Sequence, residues 1–186
     1  RAWHRWLAKA NARVIIVTEN PFLFEGYPVE VMEISGPQRE EWSLGGKQHF
    51  GIKLNGFQKA METSNCDKAL LLDTDMFWRK NPNDLFSRIS KNRAIMYQNE
   101  GLIKRSRNRS IKTFDVSLSG KMLRYDGEMY ELDAQSRMKG SAVIGLDRAN
   151  LDALQSAGKL FTTLEPLVAA HTVEQFAIAE ALRLKN

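Results

Sequence analysis

At 186 residues, with 43% hydrophobic and 26% charged side chains, the chain is long enough for one domain with a buried core, and its composition is not that of a disordered protein. A formal charge of +5 and a pI near 9.4 favour an anionic partner. The lone Cys66 excludes an intrachain disulfide and a cysteine-based zinc cage, and no run reaches the roughly 18 apolar residues of a membrane span.

With no signal peptide in view, the expectation is one domain over residues 1–186, lying in a reducing, cytoplasmic compartment. The chain opens on Arg1 directly in helical sequence and closes on Asn186 at the foot of another helical stretch. It therefore reads as a segment of a longer chain, trimmed at both ends.

In chain order, Trp3, Trp6, Leu7 and Ala10 share one face of a helix predicted over 2–10. Val14, Ile15, Ile16 and Val17 form a buried-strand run within 13–18. Asn20-Pro21 and Gly26-Tyr27-Pro28 punctuate a loop, and Val29, Val31 and Ile34 suggest a second strand that breaks at Ser35-Gly36-Pro37. A helix is predicted over 49–63, with Ile52, Leu54, Phe57, Ala60 and Met61 as its buried stripe.

Ala69 to Leu72 read as a strand covered on both faces. Pro82 then opens a short helix through Ile89 with Asn81 as its N-cap. A further strand spans 94–97, and 113–132 suggests antiparallel strands around Gly120 and Asp126-Gly127. Ser141 to Leu146 read as a strand, Asp147 as the N-cap of a helix to Ala157, and the last helix runs over 172–184. That helix is expected to bury Val173, Phe176, Ala177 and Leu182 and to expose Glu174, Glu180 and Arg183. Strands alternating with helices predict an α/β domain with a mostly parallel central sheet flanked by helices.

The most informative stretch is Leu70-Leu71-Leu72-Asp73-Thr74-Asp75, an apolar run that stops at two carboxylates one residue apart. Alternate residues of an extended segment point the same way, so the two are expected to converge. At ~4 Å they would repel by roughly 4 kcal/mol at an effective dielectric near 20. A shared proton or a divalent cation offsets such a repulsion. The plain alternative is a cap or a solvated turn.

This stretch, followed by Asn81-Pro82 and Leu85-Phe86, resembles the metal-dependent nucleotide-sugar glycosyltransferases of the GT-A type, family 8-like members among them. Two downstream segments extend the likeness. Gly140-Ser141-Ala142-Val143-Ile144-Gly145-Leu146 is similar to the small-residue strand beside the donor sugar, and Thr172-Val173-Glu174-Gln175-Phe176-Ala177 to the acidic opening of a late helix facing the acceptor.

The resemblance implies a GT-A-like (Rossmann-like) domain and transfer of a sugar from a nucleotide-diphosphate donor, a UDP-sugar foremost, to a carbohydrate or other hydroxyl acceptor. It implies that Asp75 holds Mn2+ or Mg2+, with Asp73 at the ion's water shell or the ribose. Hard, oxygen-seeking ions suit such ligands. Lys53, or less favourably Lys47, would lie near the nucleotide phosphates. Ser141 and Gly140 would lie at the donor and Trp78 against a ring, while Glu174 would act as general base or acceptor contact. Each has a plain counterpart: an exposed helix lysine, a strand-packing glycine, a buried tryptophan, a carboxylate favoured in a helix's first turn. Trp42 is a weaker stacking candidate than Trp78, and His171 reads as a cap or surface residue more readily than as a metal ligand.

Two other readings use different residues. Haloacid-dehalogenase-like phosphatases also place Asp-x-Asp after a strand, and Asp147, Asp152 and Lys139 loosely resemble their later metal-binding set. Phe77 and the two strand candidates before the motif depart from that family. The basic residues Lys104, Arg105, Arg107, Arg109 and Lys112 could instead serve an anion-binding module for RNA, or a peripheral contact at the inner membrane face. With Phe114 as the one aromatic close by, nucleic acid is the poorer partner.

Overall fold

A computed structural model describes residues 12–76, 79–125 and 127–185. The helix expected over 2–10, Trp78 and Asp126 lie outside the described residues. Nine short strands and six helices follow in order among those described. They are β1 (Ile15–Thr18), β2 (Glu30–Glu33), α1 (Gly36–Trp42), α2 (Gly51–Thr63), β3 (Lys68–Leu72), α3 (Asn83–Phe86), β4 (Ile95–Met96) and β5 (Asn99–Leu102). Then come α4 (Arg109–Leu118), β6 (Met122–Tyr125), β7 (Glu128–Glu131), β8 (Arg137–Lys139), β9 (Val143–Asp147), α5 (Leu151–Leu164) and α6 (Val173–Lys185). No helix among the described residues is long and apolar enough to cross a membrane.

Among the described residues there is no mostly parallel central sheet, which overturns the GT-A-like (Rossmann-like) architecture drawn from the sequence. The fold is mixed α/β, with small sheets. Among the described residues, only β1 and β2 pair in parallel. The largest sheet runs β3-β9-β4, and both of its pairings are antiparallel. β5 pairs antiparallel with β8, and β6 with β7. Outside 113–132, the expectation took the strands as returns of helical crossovers, which parallel neighbours require. Here β9 is reached through β5, the β6–β7 hairpin and β8, and it enters the sheet in the opposite sense. Leu70, Leu71 and Leu72 are consequently half-buried on an edge strand, while Val143 to Leu146 of central β9 are buried.

Beneath the sheet lies a core of α2, α5 and α6. Leu54, Phe57 and Met61 of α2 meet Leu154, Leu160, Phe161 and Leu164 of α5 and Phe176, Ala177 and Ala181 of α6 in one cluster. The stripe expected on α6 holds, for Val173, Phe176, Ala177 and Leu182 are buried, and so are Leu54, Phe57 and Met61 of the earlier helix.

Local signals account for most of the element ends. Ser35, expected to break the chain, instead caps α1 in a capping box with Gln38. Asp147 does cap the turn that leads into α5, accepting from Ala149 N. Asn81 accepts from Asn83 N, but the N-cap of α3 is Pro82 rather than Asn81, and the helix stops at Phe86, short of Ile89. The region 113–132 divides into the end of α4 and the β6–β7 hairpin.

Two acids expected on the surface are buried. Glu174 is 2% and Glu180 0% exposed. Glu180 is fully engaged: Tyr130 and Ser136 donate their hydroxyls to it, and Arg183 donates from both Nε and Nη2. Burial, the Glu180 charge and the hydrogen bond to it push the Tyr130 hydroxyl far above its ordinary value, so it stays a donor. Arg183 also reaches Asp133 at 3.0 Å.

Candidate active site

Four elements converge where β3 leaves the sheet. The antiparallel pairing continues one step beyond the strands, as Asp73 N donates to Ala142 O, and this sets Asp73 beside Ser141. Lys53 comes from the first turn of α2 and Glu174 from the first turn of α6. Lys53 Nζ lies 3.0 Å from Asp73 Oδ1, 2.8 Å from Ser141 Oγ, 3.4 Å from the Ser141 carbonyl oxygen and 3.4 Å from Glu174 Oε1. The Phe50 ring covers the same ammonium at 5.3 Å. Three of the residues named from the sequence, Asp73, Ser141 and Glu174, are thus gathered around a fourth, Lys53.

The charges do not close evenly. Glu174 Oε1 is buried and lacks a hydrogen-bond donor, because Lys53 stands near it without the alignment a hydrogen bond needs. Burial pushes the Glu174 carboxyl above the usual range, and the Asp73 charge adds to that. The Lys53 charge and the Ser141 hydroxyl oppose the shift without cancelling it. A buried carboxyl with a raised pKa, an unused oxygen and a cation alongside is the kind of group that exchanges a proton with a ligand.

Asp75 is placed differently from the expectation. Met76 N donates to Asp73 O, closing a turn through Thr74 and Asp75. Strand alternation therefore ends at Asp73, and Asp75 lies exposed at the turn. Lys53 supplies one positive charge that offsets Asp73, at 3.0 Å. Among the described residues no three His, Cys, Asp or Glu side chains converge as a ready cation cage. Mg2+ and Mn2+ at phosphate sites take one or two carboxylates and fill the rest from phosphates and water. An exposed Asp75 next to a part-exposed Asp73 fits that donor set.

Gly140 has its own reason in the packing. A Cβ there would lie 3.2 Å from Glu100 Oε1 and 3.4 Å from both Gln98 and Tyr97, so protein already fills the space. Lys47 and His171 are exposed, and Trp42 is half-buried under the Lys59 ammonium. Asp147 faces Lys68 at the opposite end of β3 from Asp73, about 17 Å along the strand, which keeps it out of any phosphatase-like set with Asp73. The basic residues from Lys104 to Lys112 are exposed on a 3-10 turn and the start of α4, whereas Phe114 is fully buried and offers no ring for base stacking.

Sequence reasoning passed over two residues here. Gln175 donates to Glu100 Oε1 at 3.3 Å, linking α6 to β5 beside Gly140. The signal for Gln175 was its place next to Glu174; Glu100 gave none. A scan of protein-family models finds no match to the chain, and no curated protein or solved structure matches it.

Proposed function

We propose that the protein is a metal-dependent glycosyltransferase that moves a sugar from a nucleotide-diphosphate donor, a UDP-sugar foremost, to a hydroxyl acceptor. One observation carries the reading: the buried, incompletely bonded Glu174 and the Lys53 ammonium meet at the strand end that bears Asp73-Thr74-Asp75. A diphosphate leaving group develops negative charge, and preorganised positive groups at that point lower the barrier. Lys53 supplies one such charge and is held ready by Asp73 and Ser141. The N-termini of α2 and α6 face the same place with their partial positive charge.

Asp75, with Asp73, would hold Mn2+ or Mg2+, which supplies further charge neutralisation to the diphosphate when bound. Glu174, ionised, accepts the proton of the attacking hydroxyl, and its raised pKa makes it a better base than an ordinary carboxylate. Ser141 and Asp73 orient Lys53 and, through it, the phosphates.

The test is turnover. The chain is incubated with UDP-, GDP- and CDP-sugars and Mn2+, and release of the nucleotide is followed with and without added sugar acceptors. Release from one donor class, reduced at least about 100-fold in Glu174→Gln when an acceptor is present, supports the reading. Equal release by Glu174→Gln and wild type would remove Glu174 from the chemistry, and no release from any donor would remove the transferase.

A further inference from the structure

Along α6 from Glu174 lies a second feature that the donor chemistry leaves unused. On β8, Met138 points into the core, so Arg137 and Lys139 share the opposite face. Gln175, Ala179 and Arg183 recur every four residues and line one face of α6. Between these faces is a groove of about 340 Å³, lined by Gln135, Arg137, Lys139, Ala179, Glu180 and Arg183.

The lining carries three cations and one anion, and that anion is spent. Glu180 is buried and saturated by Tyr130, Ser136 and Arg183. Arg137 and Lys139 are half-buried, and neither makes an ion pair or a side-chain hydrogen bond among the described residues. Glu100, the neighbouring acid on β5, keeps its charge while accepting from the neutral Gln175, and it forms no ion pair with either cation. Two half-buried cations about 7 Å apart on one strand face, neither held in an ion pair, repel each other, and an anion between them relieves that repulsion. Ala179, the smallest side chain in the lining, leaves it room.

We infer that this groove takes the anionic group, a phosphate or a carboxylate, of the acceptor sugar. The identification as acceptor rests on the transferase reading, whereas the anion preference rests on the groove alone. Position supports the link. Lys139 stands two residues, about 7 Å of extended chain, before Ser141, whose hydroxyl lies 2.8 Å from Lys53 Nζ. An acceptor anchored by its charge at Arg137 and Lys139 would extend past the end of β8 toward Ser141 and the Lys53 ammonium.

The test is calorimetric titration of the chain with glucose 6-phosphate, glucuronate, neutral glucose and inorganic phosphate. It is repeated on Lys139→Gln and on Arg137→Gln/Lys139→Gln, with melting temperature and UDP binding measured on each protein. The inference expects a charged sugar to bind at least tenfold tighter than glucose and to lose at least tenfold in the double variant, whose UDP binding and melting temperature stay unchanged. Which of the two charged sugars binds tells phosphate from carboxylate. Equal binding of glucose and both charged sugars, or charged-sugar binding unaltered in both variants, overturns it. Inorganic phosphate binding as tightly as glucose 6-phosphate overturns the sugar assignment. Charged-sugar binding that persists in a chain unable to bind any nucleotide removes the transferase reading and leaves the anion groove standing.

Discussion

Lys53 sits in the first turn of α2, where the helix dipole disfavours a cation by roughly 0.3–1 kcal/mol. Its ammonium is nonetheless held by Asp73, Ser141 and the Phe50 ring. A local preference overridden by long-range partners is a mark of a functional site. Glu174 is the counterpart. Because the folded protein raises its pKa above the ordinary 4.5, the folded state holds this proton to higher pH than the unfolded chain does. Stability from this group is therefore full below about pH 4.5 and is lost as pH rises through the folded value. Glu174→Gln removes that dependence. The melting-temperature difference, variant minus wild type, should move in the variant's favour between pH 4 and pH 8. A pH-independent difference would show that burial does not control this carboxyl.

Asp75 lies exposed at its turn, so Asp75→Asn should abolish metal-dependent transfer and leave the melting temperature within about 2 °C of wild type, as surface changes do. Transfer and metal response equal to wild type would contradict its assigned role. The site was partly legible from residue type and order, since Asp73, Ser141 and Glu174 could be named from the sequence. The convergence on Lys53 was not, because contacts 20, 88 and 121 positions apart leave no periodic trace.

At the scale of elements, β9 is the piece against which the site is built. Gly145 at its centre is closely packed. An added Cβ would stand 2.8 Å from Ile89 Cδ1 and 2.9 Å from Leu70 Cδ2, so both side-chain tips would have to move. Gly145→Ala should cost about 1–3 kcal/mol in denaturant unfolding, as overpacking does, and a neutral result would mean the strand shifts freely.

On α6, removing Arg183 leaves Glu180 buried with only two hydroxyl donors. Arg183→Ala should cost about 3 kcal/mol, within the range for breaking a buried pair. A change below ~1 kcal/mol would mean that water or Tyr130 and Ser136 suffice.

The apolar stripe of α6 was readable from its period, but the burial of Glu174 and Glu180 was not. Charged residues default to the surface, and here Lys53 on α2 and Arg183 one helical turn on permit the exception. α4 was readable in principle. Asn108 caps it, and Ile111, Phe114 and Leu118 recur at helical spacing, but the cations among them drew attention to charge instead.

At the scale of the whole molecule, alternation of strands and helices gave the class but not the direction of pairing. Direction depends on the connection. The short strands β5 to β8 form an antiparallel ribbon and a hairpin between β4 and β9, and the chain re-enters the sheet reversed. Strand propensity carries no sign for that. The same topology places the basic groove and the Glu174 site on one helix, and it sets the exposed basic residues of α4 in another part of the chain.

In the proposed function, Lys53, Asp73 and Asp75 form a metal-assisted diphosphate site beside Glu174. Calorimetric titration of the chain with UDP tests it most directly, run in Mn2+, in EDTA, and on Asp75→Asn and Lys53→Met. The account predicts binding in Mn2+ that falls at least tenfold in EDTA and in each variant. UDP, GDP and CDP all failing to bind in Mn2+, or binding alike in EDTA and in both variants, would contradict it.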